Sequence, residues 1–82
     1  MKNQEFISAI NYIIKANGYV SEDLVNDTLG TFDYVDVPNE DVSDRIVFEL
    51  TLMSNNAYYG QAKDVYNSAK VIREIMRDCH MM

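Results

Sequence analysis

Val42-Ser43-Asp44-Arg45-Ile46-Val47-Phe48-Glu49-Leu50-Thr51-Leu52-Met53-Ser54-Asn55-Asn56-Ala57-Tyr58 carries two periodicities at once. At helical spacing, Ile46, Leu50, Met53 and Ala57 form one stripe that continues Val42. At period two, Ile46, Phe48, Leu50 and Leu52 alternate with Val47, Glu49 and Thr51. The second reading makes residues 31–53 a β-hairpin and the protein α+β. The helix is favoured because its stripe persists beyond the length of an ordinary strand. Asp41, Arg45 and Glu49 also stand four apart, and Asn39 or Ser43 is available as an N-cap. The expected fold is therefore all-α.

The sequence after this stretch is the clearest. Ala62, Val65, Ala69, Ile72, Met76 and Cys79 step by three and four, as one helical seam over residues 61–80. Gly60 separates this helix from the one before, so the two are expected to form an antiparallel hairpin. Ala57, Gly60 and Ala62 are small enough to let it close tightly at its tip.

Toward the N-terminus, Phe6, Ile10, Ile13 and Ile14 give a first helix over residues 3–16. Ser8 and Asn11 interrupt its apolar run and no small-residue cleavage site follows, so a helix is expected rather than a signal peptide. Asn17-Gly18 is a stop signal, with glycine taking the left-handed conformation and Tyr19 folding back on the last turn. Ser21 is an N-cap, and Glu22 and Asp23 suit the positive end of a helix dipole. A short second helix is expected to bury Leu24, Val25 and Leu29 and to end at Gly30. Residues 31–41, where acidic and apolar residues nearly alternate, read as a connection or a short strand that Pro38 closes.

Eighty-two residues make one domain, 1–82. Nearly half the residues are apolar and a quarter charged, which is a globular composition. A core this small is marginal, and a homo-oligomer is one remedy. Cys79 is the only cysteine, so a cytoplasmic, reducing location is the expectation. No apolar run is long enough to span a membrane.

The net charge of −6 is unevenly spread. Residues 19–49 hold nine carboxylates against Arg45 alone, a net of −8, while the segments before and after are each +1. Direct binding of duplex nucleic acid is disfavoured, because the acidic middle repels phosphate.

Sites for chemistry are sparse. Cys79 and His80 are adjacent, and neighbours on a helix diverge by about 100°, so they do not form a catalytic pair. Zinc needs more Cys, His or carboxylate ligands than a plausible cluster here supplies. A calcium loop begun at Asn39 fails, since Asp44 stands at the turn glycine and Leu50 at the bidentate glutamate. No glycine-rich phosphate loop is present. No cofactor, no metal and no enzymatic activity are expected. Ala62-x-x-x-Tyr66-x-x-Ala69 resembles part of the second helix of a tetratricopeptide repeat. The rest of that pattern is missing, and no family is identified.

Two features point to binding. The first is the acidic middle, where Asp33, Tyr34, Asp36, Glu40, Asp41 and Asp44, with Phe32, Val35 and Val37 among them, can dock on a basic protein. The second is a stripe on the last helix, Tyr59, Lys63, Tyr66, Lys70, Arg73 and Arg77. Tyrosine interleaved with cations suits an anionic nucleotide. The expected function is that of a non-enzymatic inhibitor or antagonist, which occupies a basic surface of a nucleic-acid-handling protein. The alternative is an oligomeric module that sequesters a nucleotide through the stripe. The acidic and basic features can also satisfy each other, within one chain or between two.

Overall fold

A computed structural model describes residues 2–82. It contains four helices, α1 (Lys2–Lys15), α2 (Glu22–Phe32), α3 (Glu40–Tyr58) and α4 (Ala62–Asp78), and no strand among the described residues. The fold is all-α, and the β-hairpin over 31–53 does not form. Helical spacing wins there because it puts Val42, Ile46, Leu50 and Met53 together in the core. Two faces of a strand would divide them. Asn39, not Ser43, starts the helix: its side-chain oxygen accepts from the Val42 N–H at 3.0 Å.

The helices touch in a closed ring, α1 on α2, α2 on α3, α3 on α4 and α4 back on α1. The α3–α4 hairpin is the most extensive of these pairs. One core fills the ring, from Phe6, Ile10 and Ile13 of α1 to Val65, Ala69, Ile72 and Met76 of α4. The seam expected on α4 is therefore its buried face, with Ala62 and Cys79 half-buried at its ends and Ser68 and Ile75 added beside it.

Helix α2 differs from the sequence reading. It runs through Gly30 to Phe32. Phe32 is buried against Phe6, with ring centroids 5.1 Å apart. Burying a phenylalanine is worth about 1.5–3 kcal/mol, more than the roughly 1 kcal/mol that a mid-helix glycine costs. The helix stops only after Phe32, where Asp33, Tyr34 and Val35 each donate three residues back in a tightened final turn. The buried face of α2 also shifts: Leu29 is exposed, and Thr28 is buried with its hydroxyl on the Leu24 carbonyl at 2.9 Å.

Three helices end in one backbone motif, in which the last residues donate five and three residues back. The left-handed position is Asn17 after α1, Gly60 after α3 and His80 after α4. Asparagine rather than Gly18 thus closes α1. Gly18, also at positive φ, is the point where α1 meets the start of α4. A Cβ there would overlap the Ala62 carbonyl oxygen and come within 2.8 Å of the Tyr66 nitrogen. This is a close backbone approach between the end of α1 and the start of α4. Tyr19 is exposed and does not fold back on the last turn.

Asn3 ties the termini to the middle of the chain. Its side-chain NH₂ donates to the Met81 carbonyl at 3.3 Å, and its side-chain oxygen accepts the Asp36 N–H at 3.1 Å. Met81, just past α4, is buried.

Candidate functional site

The acidic segment between α2 and α3 leaves the final turn of α2 at Asp33 and Tyr34, and its burial then alternates over residues 34–37. Val35 and Val37 pack against the core, while Tyr34 and Asp36 are exposed. Phe32 belongs to the core outright. Of the two aromatics expected to serve a partner in this segment, Tyr34 remains on the surface, 75 % exposed, and Phe32 does not. Phe32, Val35 and Val37 hold the segment down instead. This leaves Asp33, Asp36, Glu40, Asp41 and Asp44 all exposed. The carboxylates of Asp33, Glu40, Asp41 and Asp44 make no ion pair with a described side chain.

The basic stripe is a less open surface. Tyr59, Lys63 and Arg77 are exposed, but Tyr66, Lys70 and Arg73 are half-buried. The Lys70 ammonium sits 5.4 Å from the centre of the Tyr66 ring, a cation–π distance. The Tyr59 ring meets Tyr58 edge-on at 4.9 Å. Arg73 Nε is buried without a hydrogen-bond partner. Gly18 packs on α4 at Ala62 and Tyr66, so the stripe follows the α1 side of that helix.

The opposite edge of α4, facing α3, forms a groove that sequence reasoning missed. Its volume is about 400 Å³, and it is lined by Asp44, Arg45, Phe48 and Glu49 of α3 and by Val71 and Ile75 of α4. Phe48 is 61 % exposed, and Leu52 one turn on is also exposed. Phe48 and Leu52 fall off the core stripe of α3, and that mismatch was the available signal. A second groove, of about 330 Å³, runs between α1 and α2 past Tyr12 and Leu24, with Glu5 and Asp27 in its walls. A third, of about 190 Å³, lies at the α3–α4 tip, where residues 18–20 meet Ala57, Gly60 and Ala62. None of these three draws a wall from the basic stripe.

Asp44 joins the acidic segment to the α3–α4 groove. Asp41, Asp44, Phe48 and Leu52 step along one side of α3. The surface is thus continuous, from exposed carboxylates at the head of α3 to an apolar cleft along the hairpin. Among the described residues no group of three or more His, Cys, Asp or Glu side chains is placed to hold a metal ion. No described helix is long and apolar enough to cross a membrane. No protein-family model matches the chain, and neither the curated proteins nor the solved structures give a significant match.

Proposed function

We propose that the protein is a non-enzymatic acidic binding protein that occupies a basic surface of a partner, acting as an inhibitor or antagonist of a protein that handles nucleic acid. One observation carries this reading. Asp33, Glu40, Asp41 and Asp44 stand exposed without an ion pair to a described side chain, although the same chain has a basic stripe. Charge not consumed internally is available to steer an encounter with a cationic partner. Exposed carboxylates on the segment before α3 and at the head of that helix can fill a cationic site that otherwise takes phosphate. A protein whose own groove holds phosphates is the natural recipient.

The test is to neutralise the segment with Asp33→Asn, Asp36→Asn, Glu40→Gln and Asp41→Asn together. Proteins captured from the native cell are then compared between this variant and the unaltered chain, at low and high salt. The reading expects a basic partner that is lost in the variant and released by salt. The same partner retained by the variant at low salt would overturn it.

A further inference from the structure

The groove between α3 and α4 has the chemistry of a peptide-recognition cleft. Its floor is Val71 and the buried Ile75, and Phe48 stands beside them with most of its ring in water. Two long neighbouring helices leave between them a channel that fits the ridge of a third. Helix α3 has 19 residues, about 28 Å at 1.5 Å per residue, enough for several turns of a partner to lie alongside.

The charge around this cleft selects the occupant. Asp44 and Glu49 form part of its wall, and Asp41 is one turn before Asp44 on α3. On α4, Glu74 and Asp78 share the edge of Val71 and Ile75, three and four residues apart, and both are exposed. The groove's own lining carries two carboxylates against the Arg45 guanidinium, and Asp41, Glu74 and Asp78 flank it on the two helices, with Lys70 and Arg77 beyond Glu74 on the basic edge of α4. A second copy of the chain would set one carboxylate rim against another, and an anionic lipid surface or a nucleic acid would also be repelled. An apolar floor within a carboxylate rim is complementary to a helix with leucine-like residues on one face and lysine or arginine on the flanks.

We propose that the α3–α4 groove is the docking site for a cationic amphipathic helix of a partner protein, with Phe48 and Val71 as its apolar contacts and Asp44 and Glu49 as its charged ones. This deepens the acidic-surface reading, on which it rests for the sign of the partner's charge. It adds the partner's secondary structure and the place where its apolar side chains go.

The test uses a fluorescent synthetic helix of leucine and lysine, about 18 residues and so about 27 Å long. A scrambled peptide of the same composition, with no apolar face, is the comparison. Anisotropy at low salt should show saturable binding of the first peptide and at least about tenfold weaker binding of the second. Phe48→Ser and Val71→Ser, both at exposed positions, should each weaken binding about tenfold and leave the melting temperature close to that of the unaltered chain. Asp44→Lys with Glu49→Lys should abolish it. Tyr12→Ser, in the α1–α2 groove, should change nothing.

Equal binding of both peptides, or of the Phe48→Ser and Val71→Ser variants, would overturn the groove as the site. It would leave the acidic-surface reading standing. A concentration-dependent doubling of mass that Phe48→Ser abolishes would also overturn the proposal, because the occupant would be a second copy. Groove binding of the peptide together with a native partner that ignores the neutralised 33–41 segment would support the groove and sink the broader reading.

Discussion

Alanine placed at each of the three glycines gives a graded test of how the helices are joined. At Gly18 two penalties combine. The residue has φ +79°, and an L-residue in the left-handed region costs about 1–2 kcal/mol. The new Cβ also meets backbone, the Ala62 carbonyl oxygen and the Tyr66 nitrogen. Backbone cannot rotate away as a side chain can, so the start of α4 must move, an overpacking cost of about 1–3 kcal/mol. Alanine restricts the unfolded chain and returns about 0.4–1 kcal/mol. The net is a loss of about 1–5 kcal/mol. At roughly 2.1 cal/mol/K per residue over 82 residues, each kcal/mol shifts the melting temperature by about 6 °C. Gly18→Ala should therefore melt about 6–30 °C lower. At Gly60 only the strain applies, since φ is +70° and the space is open. Gly60→Ala should lose about 1 kcal/mol, or roughly 6 °C. Gly30 lies inside α2 with nothing near its Cβ position, so alanine should gain about 0.5–1 kcal/mol, or roughly 3–6 °C. Thermal unfolding followed by circular dichroism at 222 nm reads all three. A Gly18→Ala protein within about 3 °C of the unaltered chain would refute the α1–α4 contact. A destabilised Gly30→Ala would refute the continuous α2.

Asn39→Ala should cost about 1 kcal/mol through the lost cap of α3, while Ser43→Ala, inside the helix, should be nearly neutral; chemical denaturation compares them. Asn3→Ala removes both side-chain bonds that hold residues 36 and 81, and should cost about 1–2 kcal/mol. Hydrogen exchange of the Asp36 amide should speed up in that variant. Nucleotides should not stabilise the protein: millimolar ATP is expected to shift the melting temperature by less than about 1 °C. A large shift that Lys70→Ala with Arg73→Ala abolishes would favour nucleotide sequestration through the stripe.

The sequence carried the fold where local and tertiary preferences agree. The three–four stepping of Val65, Ala69, Ile72 and Met76 can serve only a helix with one buried side, and α4 is that helix. In α3 the longer stripe prevailed, helped by the Asn39 cap. Gly30 misled because its local preference to end a helix is outweighed by the burial of Phe32, a contact with Phe6 that is distant in sequence. Phe32 misled a second time, as a surface aromatic among acids. The carboxylates of the candidate site were legible, since charged side chains stay in water and Asp33, Asp36, Glu40, Asp41 and Asp44 all do. The groove was not, because it exists only once the Val71 edge of α4, rather than its basic edge, is set against α3. That choice is made partly by Gly18 seating α1 on the other side.

Where a cationic helix touches the molecule is the decisive question. Titrating the ¹⁵N-labelled protein with the leucine–lysine peptide and following amide shifts answers that residue by residue. The largest shifts are predicted at Asp44, Arg45, Phe48, Glu49, Val71 and Ile75, with smaller ones from Asp33 to Asp41. Shifts centred on Tyr12 and Leu24, or along Tyr66, Lys70 and Arg73, would contradict it.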